Sequence, residues 1–237
     1  MIASVIEEAV LRKITSLRIP PGASILDVPC GGGALTARLT QMGFNVFAAD
    51  IEPVQAVLND HFRFVDLNRQ AVPWPDETFD VACSIEGIEH LENPHRFLRE
   101  IHRVLRPGGR LILTTPNIVS LRSRVRFLGS AFFHKDPRPL NETARHPLHH
   151  IGLRPLPMLR YDLHTTGFSL EEVGCSHTKG VSWAYTILVP WMWLYTSIAF
   201  RKEKDPDQKS RNREIRRAMF SRSVLLGENL VLVARKK

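Results

Sequence analysis

The chain has few cysteines, and the three it has form no pattern. Cys30, Cys83 and Cys175 have neither the paired nor the metal-binding spacing, which argues against a disulfide scaffold and a cysteine-based zinc site. Two of them lie on or beside predicted buried strands, which suits a reducing compartment and predicts a cytoplasmic protein. The N-terminus also lacks the basic-then-apolar order of a signal peptide.

The glycine-rich stretch from Ser24 to Gly33 lacks the residues of two common nucleotide-binding motifs. No Lys-Ser/Thr pair follows its glycines, as a P-loop requires, and Thr36 stands where Gly-x-Gly-x-x-Gly needs a third glycine. What is present is an apolar run that ends in Asp27, a tight turn, and a segment of helical periodicity. This order predicts a strand, turn and helix that bind a nucleotide-like ligand.

Acidic residues are also scarce, with 24 Asp and Glu against 32 Lys and Arg, a net charge of +8. The imbalance is uneven: residues 120–160 carry 8 basic against 2 acidic residues, and residues 201–237 carry 12 against 5. These two stretches suit contact with an acidic substrate, RNA or an anionic membrane. An ordinary solvated surface is the alternative.

Four further apolar stretches of strand length follow the glycine-rich turn, separated by helical segments. This alternation predicts a parallel, doubly wound α/β sheet with its ligand at the carboxyl ends of the strands. Asp50 closes the second strand about 20 residues after the turn, where a ribose hydroxyl pair would be held. A short helix is predicted to begin near Pro53, and a last strand to run from Val224 to Ala234.

The order Asp-x-Gly-x-Gly-x-Gly from Asp27 resembles motif I of the class I S-adenosylmethionine (SAM) methyltransferases, with Pro29 in place of the first glycine. The strand order from Ile25 to about Asn117, with Leu-Arg-Pro-Gly-Gly before the fifth strand, resembles the type 11 and 23 subgroup of that family. The resemblance implies a Rossmann-like sheet of seven strands, mostly parallel with an antiparallel last strand. It also implies an enzyme that uses SAM, and we expect residues 1–237 to form a single domain.

The resemblance assigns cofactor contacts residue by residue. Asp27 and the carbonyl of Pro29 would hold the methionine end of SAM. Asp50 would bind the ribose hydroxyls with Ile51 against the adenine, and Asp66 would accept from the adenine amino group. The implied cofactor-binding residues are Asp27, Pro29, Gly31, Gly33, Asp50, Ile51, Asp66, Leu67 and Ser84.

A polar cluster follows the predicted fourth strand. If this segment is helical, Glu86, Glu89 and His90 stand at i, i+3 and i+4 and share one face. Such a set makes either a divalent metal site or a base with its orienting partners. In either case Glu89 and His90 are the predicted catalytic residues.

The pattern Glu-x-x-Glu-His is similar to one in ubiquinone-pathway O-methyltransferases and in small-RNA 3′-terminal 2′-O-methyltransferases, where it ligates a divalent ion. A further histidine would come from beyond the fifth strand, and His149 and His150 are the nearest candidates. The alternative is a Glu-His pair that forms a hydrogen-bonded floor of the cofactor pocket without a metal. The metal set implied by the resemblance is Glu86, Glu89, His90 and His150.

Two insertions are predicted, a substrate lid at residues 118–150 and a segment at residues 180–223. Within the second, Val181 to Phe200 is free of formal charge and long enough to span a membrane. Pro190 and two tryptophans near its middle argue against a span, since tryptophan prefers the interface. Peripheral membrane contact with the basic run Lys209 to Arg217 at the headgroups is one interpretation. Packing on the domain or in a homodimer is the other.

These features favour O-methylation of a hydroxyl on a glycan or lipid-linked acceptor, in the cytoplasm or at a membrane. A metal-dependent methyltransferase for an RNA 2′-hydroxyl is the second hypothesis, although no interleaved aromatic and basic RNA-binding motif is present. A non-catalytic SAM-binding interaction module is the third.

Overall fold

A seven-stranded sheet forms the centre of the computed structural model, which describes residues 2–52, 61–133, 138–143 and 148–237. The strands are β1 (Ser24–Asp27), β2 (Asn45–Asp50), β3 (Phe62–Phe64), β4 (Phe79–Ile85), β5 (Leu105–Pro116), β6 (Phe168–Cys175) and β7 (Asn229–Lys236). Their order in the sheet is β3-β2-β1-β4-β5-β7-β6. Neighbours from β3 to β5 pair in parallel, whereas β7 runs antiparallel to both β5 and β6. The predicted Rossmann-like sheet with an antiparallel last strand is confirmed.

Helices cover the sheet on both faces. The α-helices are α1 (Ile2–Ser16), α2 (Ala34–Gln41), α3 (Pro94–Val104), α4 (Leu121–Ser130), α5 (Leu156–Thr165), α6 (Val189–Phe200), α7 (Pro206–Met219) and α8 (Arg222–Leu226), with 3₁₀ segments at Ile88–His90 and Gly180–Leu188. Side chains of α1 and α2 pack in one apolar cluster, and those of α3 and α5 pack in another. Strand β1 supplies Ile25 to the first cluster and Leu26 to the second, because successive strand residues point to opposite faces.

Helix α3 shows how local sequence sets these layers. The Asn93 side chain accepts a hydrogen bond from the backbone N–H of Arg96 at 2.9 Å, and Pro94 occupies the first helical position. Phe97 and Leu98 are then buried against the sheet. Burial of each such side chain stabilises the fold by roughly 1.5–3 kcal/mol.

The structure differs from the sequence prediction at two strand boundaries. Residues 224–226, predicted as the start of the last strand, belong to α8, and β7 begins only at Asn229. Residues 106–109, whose Arg-Pro-Gly-Gly sequence predicts a turn before the fifth strand, are instead a bulge inside β5. Leu105 pairs with Phe79 and Arg110 with Val81, which leaves these four residues between the two pairs. The helix predicted near Pro53 lies outside the described residues.

The C-terminal end of β5 is tied to the α8 region through one side chain. The Asn117 amide donates hydrogen bonds to the carbonyls of Val224 at 2.8 Å and Gly227 at 2.9 Å, and Asn117 is 2% exposed. Oδ1 of the Asn117 side chain accepts from the backbone N–H of Val119 at 3.2 Å. The start of the first predicted insertion is thereby fixed to the end of the second.

The described parts of the two predicted insertions are largely helical. The first contains α4, and the second contains the Gly180–Leu188 segment, α6, α7 and the start of α8. The uncharged stretch Val181 to Phe200 is divided between the 3₁₀ segment and α6. Among the described residues, no helix combines the length and apolar content that crossing a membrane requires.

Candidate functional site

The predicted cofactor residues meet at the carboxyl ends of β1 and β2. Gly31 and Gly33 have φ of +50° and +76°, conformations that glycine adopts without strain, and Gly33 leads directly into α2. The N–H of Gly31 donates to Oδ2 of Asp50 at 2.8 Å, and the N–H of Ile51 donates to Oδ1 of Asp50 at 2.7 Å. The Asp50 carboxylate thus links the glycine-rich turn to the end of β2.

Asp27 lies beneath this turn and is 1% exposed. Its Oδ2 accepts a hydrogen bond from the Thr36 hydroxyl at 2.6 Å. Burial, aided by the nearby Asp50 charge, raises the pKa of Asp27 to about 7, although the Thr36 hydrogen bond opposes that rise. A cationic group placed beside Asp27 would favour its charged form. Thr36, noted in the sequence only as a missing glycine, is therefore part of the site.

Ile51 and Asp66 border the same edge of the sheet. Ile51 lies next to Asp50 and is 50% exposed. Such an exposed apolar side chain is suited to pack against the adenine ring. Asp66 follows β3 and is half-buried; its Oδ1 accepts from the N–H of Asn68 at 2.9 Å. Leu67 is partly buried beside it. The structure brings these residues to the predicted edge, and their cofactor contacts remain predictions.

Pro29 and Gly87 face each other across the turn. A Cβ on Gly87 would lie 2.5 Å from Cδ of Pro29 and 3.3 Å from Oγ of Ser84. The pyrrolidine ring therefore fits only because residue 87 has no side chain. The fully buried Ser84 hydroxyl has no hydrogen-bond partner among the described residues, an uncommon state for a buried polar atom. Gly87 is a site residue that the sequence analysis did not identify.

The Glu86 carboxylate is held by other partners than the predicted catalytic pair. The helical turn covers only Ile88–His90, and Glu86 has φ of +49°, so the three residues do not share a helix face as predicted. Oε1 of Glu86 accepts from the Thr114 hydroxyl at 2.9 Å, and Oε2 accepts from the Asn229 amide at 2.5 Å. These bonds fix Glu86 between β5 and β7.

Glu89, His90 and His150 come together instead. One ligand atom from each lies within 4.8 Å of the others, and the rings of His90 and His150 are 4.9 Å apart. Glu89 is fully buried, and the Thr115 hydroxyl donates to its Oε2 at 3.0 Å. The described residues thus bring together three of the four predicted metal ligands, without Glu86.

Backbone contacts deliver His150 to this cluster. The N–H of Gly152 donates to the Glu89 carbonyl at 2.8 Å, and Nδ1 of His90 lies 3.1 Å from the carbonyl of His149. A Cβ on Gly152 would lie 3.0 Å from the carbonyl of Leu91, so close docking favours glycine there. The end of the predicted lid therefore forms one wall of the site.

Burial lowers the pKa of His90 from its usual 6.5, although the backbone carbonyls of His149 and Glu86 act in the opposite direction. His90 is therefore neutral at pH 7, the form that accepts a proton or ligates a metal. A carboxylate and two imidazoles are a donor set that suits zinc, manganese or iron. The residues present fit a divalent metal, and they fit a carboxylate-oriented base equally well.

Comparison with known proteins finds a family match for part of the chain. Residues 26–113 match the family model described as "Methyltransferase domain". The mitochondrial ubiquinone biosynthesis O-methyltransferase of Schizosaccharomyces pombe is 33% identical over 105 residues, 40% of this chain and 38% of that protein. A ubiquinone/menaquinone biosynthesis C-methyltransferase of Hahella chejuensis is 38% identical over 105 residues, 39% of this chain and 42% of that protein. The matched region spans less than half the length of these relatives.

Longer but weaker similarities agree on the fold. The ubiquinone biosynthesis O-methyltransferase of Maricaulis maris is 27% identical over 171 residues, 64% of this chain and 67% of that protein. The structure of a SAM-dependent methyltransferase from Mesorhizobium loti superposes with a TM-score of 0.56 at 17% identity, covering 98% of both chains. One from Archaeoglobus fulgidus gives 0.58 at 15% identity, covering 98% of this chain and 94% of that one. Residues 26–113 are thus similar to a methyltransferase domain, and with motif I at the carboxyl edge of a seven-stranded sheet the chain has the fold of the SAM-dependent methyltransferases.

Proposed function

We propose that the chain transfers the methyl group of SAM to a hydroxyl of a lipid-linked or glycan acceptor. The observation that carries this proposal is the buried Glu89 carboxylate beside His90, at the end of β4 next to the predicted cofactor edge. Relatives named as ubiquinone biosynthesis O-methyltransferases support a hydroxyl acceptor. Another relative, from Synechocystis, is named 2-methyl-6-phytyl-1,4-hydroquinone methyltransferase. The phytyl group in that name is a hydrocarbon chain, which supports a lipid-like acceptor.

The chemistry needs alignment and the removal of one proton. SAM supplies a methyl group on a sulfonium, and positioning of donor and acceptor provides much of the rate. The acceptor oxygen gains the methyl group and loses its proton, which neutral His90 takes up. Glu89, fixed by Thr115, stabilises the imidazolium that forms. A divalent ion on Glu89, His90 and His150 would act differently, by lowering the pKa of the acceptor hydroxyl.

The test is methyl transfer from radiolabelled SAM into a lysate, which is then separated into lipid, polysaccharide, RNA and protein pools. We expect label in the lipid or polysaccharide pool. His90→Ala and Glu89→Gln should lower kcat by 10²-fold or more, about the contribution of a general base, with little change in SAM affinity. His164→Ala, at an exposed histidine of α5, is the matched control and should retain full activity. Unchanged turnover of both site variants would exclude the assigned role.

The approach of His150 to Glu89 and His90 favours a second candidate, metal-dependent methylation of an RNA 2′-hydroxyl. Label in the RNA pool, lost on chelation and restored by a divalent ion, would replace the first proposal with this one. Binding of Zn²⁺ or Mn²⁺ to the protein, weakened by His150→Ala, would locate the ion. Activity that survives chelation removes the metal from either mechanism.

A further inference from the structure

Helix α6 is apolar on every side, yet only part of it is covered. Val189 and Met192 pack on a small cluster formed by Leu121, Leu225 and Leu226. Another stripe of the helix faces outward at positions i, i+3, i+4 and i+7. It consists of Trp191, Leu194, Tyr195 and Ile198, with exposures of 66%, 54%, 68% and 52%.

The preceding 3₁₀ segment also exposes apolar side chains, with Ile187 83% exposed and Trp183 50% exposed, and the guanidinium of Arg222 lies 5.3 Å from the ring centre of Trp183. We call the six residues Trp183, Ile187, Trp191, Leu194, Tyr195 and Ile198 the apolar face. Singly exposed apolar side chains are ordinary, whereas six of them on two successive segments mark an interaction surface. Two tryptophans and a tyrosine give the set the composition of a membrane interface.

A basic cleft of about 350 Å³ lies between α6 and α7. Its charged lining comes from both sides, with Arg201 just after α6 and three residues of α7. The lining residues are Ser197, Phe200, Arg201, Lys209, Asn212, Arg213 and Arg216. Nη1 of Arg216 donates to the Ser197 hydroxyl at 2.9 Å, and its guanidinium lies 5.3 Å from the ring centre of Trp193.

Helix α7 carries two acidic residues, Asp207 and Glu214. Glu214 pairs with Arg160 of α5 rather than with a cation of the cleft. Within the described part of the chain, Arg201, Lys209 and Arg213 form no ion pair with a carboxylate. Three cations around an open cleft are a site for an anion such as a phosphate group.

The charge of the cleft distinguishes between two possible partners of this surface, a second copy of the chain and an anionic bilayer. A second copy packed through a two-fold axis would place the same basic cleft near its own symmetry mate, and like charges would oppose association. An anionic bilayer instead complements the cleft, at about 1 kcal/mol for each Lys or Arg near its surface. The apolar face meanwhile enters the headgroup region. We propose that the apolar face and the basic cleft together dock the protein on an anionic phospholipid surface, with a lipid phosphate in the cleft.

Vesicle co-sedimentation tests this proposal without reference to activity. The full chain should bind vesicles of phosphatidylcholine mixed with phosphatidylglycerol, bind vesicles of phosphatidylcholine alone at least tenfold more weakly, and dissociate as salt is raised. Trp191→Ser combined with Tyr195→Ser should reduce binding at least tenfold, and so should Lys209→Glu combined with Arg213→Glu. All four positions are exposed, and unchanged circular dichroism and SAM affinity should show that the variants fold.

Matched control variants distinguish binding through this surface from non-specific binding to vesicles. Phe64→Ser, at a 58% exposed aromatic on β3, and Arg12→Glu, at an exposed arginine of α1, should leave vesicle binding unchanged. Equal binding of neutral and anionic vesicles, or equal binding by the site and control variants, would overturn the proposal. A dimer at low salt that Trp191→Ser abolishes would assign the face to a second copy and also overturn it. Phosphate binding in the cleft without vesicle binding would reject the membrane and leave a soluble anion.

Discussion

Gly87 is the residue on which the unusual motif I depends. In the family pattern the position of Pro29 is a glycine, and here the ring of Pro29 occupies the space that a Cβ of residue 87 would need. Sequence reasoning found the proline because it breaks a motif. It did not find the glycine, because no motif joins residues 58 positions apart whose contact exists only in the fold.

We predict that Gly87→Ala destabilises the protein by about 1–3 kcal/mol and weakens SAM binding, because its Cβ would force the Pro29 turn to move. Combining it with Pro29→Gly should recover at least 1 kcal/mol of the loss, since the double variant removes the clash. Urea unfolding of the four proteins in the double-mutant cycle measures the coupling. Strictly additive free energies would show that the two residues do not interact.

At the scale of elements, much of the sheet was predictable. Asp27, Asp50 and Asp66 each follow an apolar stretch, and this pattern predicted that they lie at one edge of the sheet. The structure confirms the arrangement of the strands that carry them. The misplaced start of β7 has a physical cause: a short apolar run reads alike in a buried helix and a strand. Residues 224–226 are helical because Ser221 caps α8 by accepting a hydrogen bond from the N–H of Val224.

The metal and base candidates were only partly predictable. Glu89 and His90 are neighbours in sequence, so their proximity could be predicted without knowledge of the fold. The orientation of Glu86 depends on Thr114 and Asn229, which are 28 and 143 residues away. A helical spacing argument fails there because the backbone of Glu86 is left-handed and the turn begins after it.

Asn117 joins the end of β5 to the α8 region, so its loss should affect both. We predict that Asn117→Ala lowers the free energy of unfolding by about 2–4 kcal/mol, because the carbonyls of Val224 and Gly227 lose their buried donor. Urea denaturation measures the loss. Asn141→Ala, at an exposed position, should change stability by less than about 0.5 kcal/mol, the usual range for surface substitutions. An equal effect of the two substitutions would contradict the role of Asn117 as a link.

For the whole molecule, the buried carboxyl of Asp27 makes stability depend on pH. Its pKa is about 7 in the fold against 3.8 ordinarily, so between these values the native state holds a proton that the unfolded chain releases. Stability therefore falls as pH rises through this window, and by pH 8 the loss from this group is complete.

We predict that Asp27→Asn stabilises the SAM-free protein at pH 8 by on the order of 2–4 kcal/mol, and has little effect at pH 4. Chemical unfolding of both proteins at the two pH values gives the difference directly, and other titrating groups cancel in the comparison. The same substitution should weaken SAM binding at least tenfold at pH 8, since the cationic methionine end would lose its carboxylate partner. Equal stabilisation at both pH values would show that Asp27 does not carry the proton.

The two edge strands of the sheet, β3 and β6, limit how the molecule can associate with other chains. Strand β3 has only three residues, and β6 carries the exposed Glu171 and Glu172 at a register shift in its pairing with β7. A short strand and an irregular, charged strand are poor templates for an incoming strand, which disfavours growth of the sheet into aggregates. Association through strand addition is thereby discouraged at both ends, and contact with other molecules is left to the helices and loops that surround the sheet.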